Sequence, residues 1–247
     1  MEFAGKVAIV TGASRGIGRA VAEMLAERGG SLVLVGMDRA RIEAAAQAIG
    51  RGAAAVAGDV ALAETAKAAV DAAIAGFGRL DIVANIAGTF PTALLQDTSD
   101  AQFAESIATN LQGTFAFCRA ALPVMRGQGG GAIVNVSSMA ARFPTPGLSV
   151  YGASKAGVEA FSRAIAVEAA PDVRVNVVAA GPTATETVRA LIEADTTGAT
   201  DAVTRSLPLG RLAEPREIAE VVLFLASDRA SCMTGQVVHA NCGGLMP

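Results

Sequence analysis

The sequence is poor in the residues that zinc sites and hydrolytic triads use. Its 247 residues include no tryptophan, one tyrosine (Tyr151), one histidine (His239) and three lysines. One histidine excludes a site built from several histidine ligands, and a Ser-His-Asp triad would depend on His239 alone. We therefore expect no catalytic metal, and we expect acid–base chemistry from tyrosine, lysine, serine or carboxylate side chains.

Other scarcities narrow the class of protein. Cys118, Cys232 and Cys242 show no CxxC spacing, so we expect reduced thiols that pack as small hydrophobic side chains. The formal net charge is −3, and without a block of basic residues nucleic acid is not an expected partner. Apolar runs stop short of the roughly 20 residues that a membrane span needs, and the N-terminus resembles no signal or transit peptide. We expect a cytoplasmic protein without a membrane partner.

Hydrophobic residues make up 52% of the chain and follow an alternating pattern. Short runs rich in valine and isoleucine alternate with longer alanine-rich stretches of helical periodicity, which predicts an α/β fold whose parallel sheet carries helices on both faces. No shift in composition marks a boundary, so we predict one domain over residues 1–247. The predicted strands are 6–10, 31–35, 53–57, 80–84, 132–136, 174–178 and 237–239. The predicted helices are one that ends near residue 28, then 39–49, 61–75, 100–126, 150–169 and 215–226.

Three irregular segments are the expected place of the substrate pocket. Segments 89–97, 139–149 and 181–210 each follow a predicted strand. Ligands of open α/β sheets bind beyond the carboxyl ends of the strands, so these segments are expected to surround a small-molecule substrate. Within the third segment, 185–208 is expected to be a mobile lid that closes over the substrate.

A glycine-rich motif follows the first predicted strand and opens a helix. Glycine permits close backbone approach, and a helix N-terminus offers free N–H groups to a phosphate. The alternative interpretation is a tight turn with incidental glycines, but the position in the first strand-to-helix turn favours a dinucleotide-binding role. The candidate cofactor-binding residues of the motif are Gly12, Ser14, Arg15, Gly16, Ile17 and Gly18.

The only tyrosine lies four residues before a lysine. Tyr151 and Lys155 fall on one face of a predicted helix. An ammonium beside a phenol favours the phenolate, so we expect Lys155 to lower the tyrosine pKa from about 10 and to make a proton donor and acceptor. The alternative is an incidental surface pair.

Three weaker signals lie near other predicted strand ends. Ser138 ends the fifth strand, where a hydroxyl can stabilise charge on a substrate oxygen, although serines are common at strand ends. Asn110 lies in the interior of the 100–126 helix, which asparagine disfavours; it is either a satisfied polar residue or the holder of a water molecule. The segment 85–88 offers its backbone to a cofactor, and Asp59 is placed to meet an adenine amino group.

Taken together, these motifs resemble the short-chain dehydrogenase/reductase family over the whole chain. The family's TGxxxGxG motif is matched by residues 11–18, and its YxxxK motif by Tyr151 and Lys155. The resemblance implies a Rossmann-like doubly wound sheet of about seven strands, a cofactor of NAD(H) or NADP(H), and hydride transfer between nicotinamide and a secondary alcohol or ketone. It implies that Ser138 orients the substrate oxygen, that Tyr151 exchanges its proton, that Lys155 also holds the nicotinamide ribose, and that Asn110 supports a water beside Lys155.

The resemblance implies further cofactor contacts, and the sequence departs from the family's motifs at three places. The further contacts are Met37, Val60, Asn85, Ala87, Gly88, Gly181, Thr183 and Thr185. The family's NNAG reads Asn-Ile-Ala-Gly at 85–88, its Pro-Gly reads Ala-Gly at 180–181, and its Asp-Gly-Gly reads Asn-Cys-Gly-Gly at 241–244. None of these departures involves the four residues of the implied proton relay.

The charges near the end of the second strand favour NADP(H) over NAD(H). An NAD site usually has a carboxylate there, whereas this chain has Gly36 and Met37, with Asp38 two residues late. Arg15 could reach a 2′-phosphate, and Arg39 lies nearby. NAD(H) stays open, because Met37 stands where NADP-dependent relatives often carry arginine.

Two other functions and an assembly state complete the expectations. A 3-oxoacyl-carrier-protein reductase would need a basic docking patch, for which Arg119, Arg126 and Arg163 are candidates. A catalytically idle nucleotide-binding scaffold protein is the alternative from another class. The apolar character of helices 100–126 and 150–169, with the resemblance, predicts a homotetramer.

Overall fold

The computed structural model describes residues 1–246, and the side chains of residues 199 and 200 lie outside that description. Seven parallel strands form one sheet in the order β3-β2-β1-β4-β5-β6-β7. This order confirms the predicted Rossmann-like doubly wound sheet. The strands are β1 (Val7–Thr11), β2 (Ser31–Gly36), β3 (Ala54–Ala57), β4 (Ile82–Asn85), β5 (Gly131–Ser138), β6 (Val173–Ala180) and β7 (Val237–Ala240).

Helices cover both faces of the sheet, and each face has its own core. The α-helices within residues 1–246 are α1 (Gly16–Glu27), α2 (Arg39–Ile49), α3 (Ala63–Phe77), α4 (Asp100–Ile107), α5 (Gly113–Gly127), α6 (Ser149–Ala169), α7 (Glu186–Ala194), α8 (Ala199–Ser206) and α9 (Pro215–Ala226). The side chains of β1 alternate between the two cores, because successive side chains of a strand point to opposite faces. Ala8 and Val10 pack with α1, α2 and α9, whereas Val7 and Ile9 pack with α3, α5 and α6.

Two regions differ from the sequence-based expectation. The predicted 100–126 helix is interrupted by a π-helical turn, Ala108–Gln112, which separates α4 from α5. The expectation of an irregular 181–210 segment is wrong in part, since it contains α7 and α8. The apolar residues of these helices lie on one face of each and stay largely exposed, so neither helix produces the long buried pattern that identifies a core helix.

The strand order places the site. Strands β1 and β4 are neighbours, but the chain leaves β1 toward β2 on one side and returns to β4 on the other. Ligands bind at such a switch point, beyond the carboxyl ends of the strands. The glycine-rich turn after β1 and the segment after β4 therefore meet at the centre of one edge of the sheet.

The next features are possible metal ligands, possible membrane helices and the cysteines of the described residues. Among residues 1–246, no group of three or more His, Cys, Asp or Glu side chains could hold a metal ion. Within the same residues, no helix is long and apolar enough to cross a membrane. Cys118 is buried, and burial raises the pKa of its thiol to about 12. The expectation that all three thiols are packed is wrong for Cys232, which is exposed.

Candidate active site

The glycine-rich turn allows three backbone segments to touch. Gly12 has a φ of +66°, and a Cβ there would lie 2.9 Å from the Cα of Ala87. A Cβ on Gly18 would lie 2.3 Å from the carbonyl oxygen of Gly12. Both positions therefore need glycine, one for the approach of the 85–88 segment and the other for the approach of α1 to the end of β1.

A threonine of the glycine-rich motif, Thr11, fixes this contact. The Thr11 hydroxyl oxygen accepts hydrogen bonds from the backbone N–H groups of Ile86 (2.9 Å) and Ala87 (3.0 Å). The 85–88 segment is thereby anchored to the end of β1. The Asn85 side chain points into the sheet and donates to Asn135 at 2.8 Å. The Asn85 side chain is thus engaged within the protein, and a contact between this segment and a cofactor stays a prediction.

The start of α1 already holds a carboxylate. Gly16 has a φ of +57°, and its N–H donates to the Glu186 carboxylate at 3.0 Å. Glu186 belongs to the first turn of α7, and the Thr185 methyl would lie 3.2 Å from a Cβ on Gly16. This contact shows that the amide is oriented to bind an anion. The Arg15 side chain is exposed beside it.

The segments that flank β6 and β7 meet next to this turn. A Cβ on Gly181 would lie 2.5 Å from the Cα of Asn241, so the two chain segments touch there. The Thr183 hydroxyl donates to the Gly181 carbonyl at 2.9 Å, and the Thr185 hydroxyl accepts from the Val188 N–H as the cap of α7. The Ala-Gly departure at 180–181 leaves this arrangement intact.

Asn110 is fully buried and joins two parts of the site. Its side-chain oxygen accepts from the Thr89 N–H at 2.9 Å, and its side-chain nitrogen donates to the Thr89 carbonyl and to the Ser154 hydroxyl, each at 2.9 Å. The residue lies in the π-helical turn, a feature that is frequent at functional sites. Asn110 thus connects the segment after β4 to α6. Thr89 and Ser154 carry no sequence motif that identifies them as its partners.

Gly88 brings the site residues together. A Cβ on Gly88 would lie 2.9 Å from the Asn110 side-chain oxygen and 3.2 Å from the Lys155 ammonium nitrogen. The amide and the ammonium therefore converge on the space beside the Gly88 backbone. A side chain at residue 88 would fill the approach to both groups.

Ser138, at the carboxyl end of β5, lies close enough to Tyr151 for its side chain to affect the pKa of the phenol. Burial raises the pKa of Tyr151, and the interaction with the Ser138 side chain lowers it in part. The Ser138 oxygen also accepts the Ala140 N–H at 3.1 Å, which fixes the hydroxyl oxygen. The Phe90 ring packs edge-on against the tyrosine, with ring centroids 6.3 Å apart.

Lys155 does not act on the tyrosine as expected. Its side chain is buried and donates to the Val136 carbonyl at 2.9 Å, and burial lowers its pKa to about 8. The expectation that Lys155 lowers the Tyr151 pKa is wrong for this structure, in which burial dominates and raises it. The reason is that withdrawal from water disfavours both charged forms, the ammonium and the phenolate.

The residues that follow β2 and β3 lie at the side of the site away from Tyr151, and several of them are exposed. Met37 is 71% exposed after β2, and Arg39 is exposed nearby. The carboxylate of Asp38 is engaged within the chain, because it caps α2 and accepts a hydrogen bond from the Arg41 N–H at 3.0 Å. Asp59, after β3, likewise accepts a hydrogen bond from the Ala61 N–H at 2.9 Å. Val60 is buried, and a Cβ on Gly113 would lie 3.0 Å from it, so it supports the wall of the site.

These residues fit a dinucleotide. The close approaches at Gly12 and Gly88 require residues without a side chain, and the Gly16 N–H is turned to an anion. The Lys155 ammonium lies beside Gly88, and the hydroxyls of Ser138 and Tyr151 lie near the end of β5. The edge thus offers an amide for an anion, and an ammonium and hydroxyls for polar groups.

Comparisons with known proteins agree with this geometry. A family model described as enoyl-(acyl carrier protein) reductase matches residues 12–244. The chain is 38% identical over 247 residues to the 3-oxoacyl-(acyl-carrier-protein) reductase FabG of Vibrio cholerae, with 100% of each chain covered. It is 36% identical to an uncharacterized oxidoreductase of Thermotoga maritima, with 98% of each chain covered.

The structural comparison gives the same result. A solved short-chain dehydrogenase/reductase from Brucella melitensis, described as a glucose/ribitol dehydrogenase, superposes with a TM-score of 0.93. The two sequences are 34% identical, and the match covers 100% of this chain and 99% of that chain. The protein is an oxidoreductase of the short-chain dehydrogenase/reductase family.

Proposed function

We propose that the protein is an NADP(H)-dependent oxidoreductase that interconverts a ketone and a secondary alcohol through Ser138, Tyr151, Lys155 and Asn110. The observation that carries this proposal is the placement of the Ser138 side chain near Tyr151, whose helix also carries the buried Lys155. Tyr151 is the only tyrosine of the chain, so no other phenol can take its role.

Tyr151 keeps its proton near neutral pH, because burial raises the pKa of the phenol and makes it a weaker acid. As the proton donor it gives that proton to a carbonyl oxygen as the oxygen gains charge, a transfer that a nearby positive charge assists. Ser138 holds the same oxygen, and its own oxygen is fixed by the Ala140 N–H. Substrate and cofactor exclude further water when they bind, and Lys155 then places a positive charge next to the phenol.

The cofactor supplies the hydride when it is bound. Glycines 12, 16 and 18 and the 85–88 backbone would hold its phosphate groups, with Thr183 and Thr185 beside them. Lys155 would hold the nicotinamide ribose, and Asn110 would support the water that leads from Lys155 to solvent. Asn110 is suited to that position because its side chain fixes the adjoining segment at Thr89.

Two observations support NADP(H) over NAD(H). The carboxylate of Asp38 is engaged as a helix cap and lies 3.6 Å from the Arg41 guanidinium, so it is not held ready for ribose hydroxyls. Arg15 is exposed where a 2′-phosphate would need positive charge, and Arg39 is exposed nearby with its guanidinium 3.4 Å from the Glu43 carboxylate. In this proposal Met37 and Asp59 flank the adenine.

The second candidate function is reduction of a 3-oxoacyl group on a carrier protein. The name of the Vibrio cholerae relative favours it. Against it, the expected basic patch is engaged within the chain: Arg126 bonds to the Glu168 carbonyl, and Arg163 lies 3.8 Å from the buried Glu159. The Arg119 guanidinium lies over the Phe115 ring, 4.8 Å from its centroid. These contacts support a free small-molecule substrate.

We extend the proposal to assembly, to the lid and to the compartment. The exposed rings of Phe103 and Phe115 lie on α4 and α5, and they support pairing of these helices in a homotetramer. In the lid, 185–208, the exposed apolar side chain Leu191 on α7 supports closure over the substrate. The cytoplasm is the proposed location.

The test is an initial-rate screen of purified protein with NADPH against ketones and against a 3-oxoacyl thioester, free and carrier-bound. We expect turnover with ketones, and we expect Tyr151→Phe to lower it by at least about 10²-fold while NADPH binding persists. Nearly full activity of Tyr151→Phe would contradict the mechanism. A wild-type protein that binds NADPH and reduces no carbonyl compound would support the scaffold alternative.

A further inference from the structure

A buried carboxylate, that of Glu159, lies next to the site. Glu159 is on α6, one helical turn after Lys155, and is only 3% exposed. An ionised carboxylate is removed from water only where charged or hydrogen-bonding partners compensate for the loss of hydration. Its partners therefore show what the carboxylate holds in place.

One oxygen of Glu159 is tied to the strand that carries Ser138. The Ser137 hydroxyl lies 3.2 Å from this carboxylate oxygen and 3.1 Å from the Lys155 carbonyl oxygen. A hydroxyl has one hydrogen, so the two acceptors share it in a three-centre bond. The end of β5 is thereby attached to α6 immediately before Ser138.

The other oxygen of Glu159 is tied to the chain after Ser138. The Arg142 side chain donates to it at 3.0 Å, and Arg163 on α6 lies 3.8 Å away. Segment 137–142, which contains Ser138 near its start, is thus held to α6 at both ends by one carboxylate. Since α6 also carries Tyr151 and Lys155, Glu159 connects the two chain segments whose spacing sets the Ser138–Tyr151 contact.

Segment 137–142 and the first turn of α6 are closely packed, so neither can shift without the other. A Cβ on Gly152, the residue after Tyr151, would lie 2.6 Å from the Ala140 carbonyl oxygen. The middle of segment 137–142 therefore lies directly against the first turn of α6. A change of a few tenths of an ångström in how the segment is held would be transmitted to the hydroxyl of Ser138.

We propose that Glu159 is a positioning residue, which holds Ser138 in place beside Tyr151 by binding Ser137 on one side and Arg142 on the other. The inference rests on the proposed function for its kinetic consequence. Its structural consequence, the Ser138–Tyr151 contact, is measurable without turnover.

The composition of the chain provides a direct spectroscopic readout. With one tyrosine and no tryptophan, the near-ultraviolet absorbance of phenolate reports Tyr151 alone. Ser138→Ala is the reference variant: it removes the interaction that lowers the Tyr151 pKa, so the titration should move to higher pH. We expect Glu159→Gln to move it in the same direction. Glu168→Gln is the matched control, because Glu168 is an exposed glutamate of the same helix.

The kinetic arm separates positioning from a general loss of stability. We expect Glu159→Gln to lower kcat for ketone reduction by about 10- to 100-fold, the scale of a small misplacement of reacting groups, with KM for NADPH unchanged. Arg142→Ala should act in the same direction, and Arg142→Lys should restore part of the loss. Arg142 is partly exposed, so its variants test the proposal even where Glu159→Gln does not fold.

Each outcome decides between the possibilities. Variants of Glu159 and Arg142 that lower only the melting temperature, with kcat and the Tyr151 titration unchanged, would overturn the proposal and leave Glu159 as a stabilising ion pair. If the wild type reduces no carbonyl compound, the proposed function fails, and the titrations still decide whether Glu159 positions Ser138. If the wild type is active and the titrations do not move, this inference fails alone.

Discussion

The substitution Gly88→Ala tests the convergence of groups at the centre of the site. The added methyl carbon would lie 2.9 Å from the Asn110 side-chain oxygen and 3.2 Å from the Lys155 nitrogen. Neither neighbour can retreat easily. Asn110 is fully buried and bonded to both the N–H and the carbonyl of Thr89, and Lys155 is buried and bonded to the Val136 carbonyl.

The size of the effect follows from these contacts. Gly88 has no positive φ, so alanine brings no backbone strain there and the cost comes from overpacking alone. Insertion of an extra methyl into a well-packed region costs about 1–3 kcal/mol of folding free energy. A displacement of reacting groups by as much as 1 Å can reduce turnover by about 10²-fold. We therefore expect a moderate loss of stability and a much larger loss of kcat/KM.

The assay is the initial rate of ketone reduction with NADPH, together with thermal unfolding of the same samples. Gly76→Ala is the matched control: Gly76 lies in α3 with nothing within 4 Å of its added methyl, and the substitution should stabilise the helix by about 0.5–1 kcal/mol. Wild-type activity of a folded Gly88→Ala protein would refute the reasoning, because it would show that the space beside Lys155 and Asn110 is not used.

Three further outcomes follow from the site and its surface. The kcat/KM for ketone reduction should fall as pH rises through about 8, where Lys155 of the free enzyme loses its proton, and a profile that is flat through this range would contradict that role. Arg15→Ala should lower the ratio of kcat/KM for NADPH over NADH, and an unchanged ratio would show that another group discriminates. Light scattering should give about four times the 24.8 kDa chain mass, and a monomer mass at micromolar concentration would reject the tetramer.

The sheet could be predicted from the sequence because its information is local. A strand buried on both faces, such as β2, reads as a continuous apolar run, and the runs recur with helices between them. Local sequence also predicted the glycine-rich turn and the placement of Tyr151 and Lys155 on one helix. A turn and a helical repeat each span only a few residues, so their geometry can be inferred from spacing.

The rest depended on contacts between distant residues. The residues of the π-helical turn, Ala108–Gln112, do not differ in type from those of an ordinary helix. The turn is distinguished by its hydrogen bonding, and it places Asn110 beside Thr89. The direction of the Tyr151 pKa shift depends on how much water the fold excludes, which spacing to a lysine does not reveal. The sequence does not distinguish Glu159 from other helix glutamates, because its contact with Arg142 forms only in the folded chain.

In the proposed cofactor site, the contact between Gly16 and Glu186 would make phosphate binding a competition. A phosphate and the Glu186 carboxylate are both anions and would repel each other at the single Gly16 N–H. The apparent affinity for the dinucleotide would then be the intrinsic affinity multiplied by the fraction of molecules in which that amide is free. Residues of α7 that never touch the cofactor would thus influence how tightly it binds, and the bound cofactor would in turn bias where α7 begins.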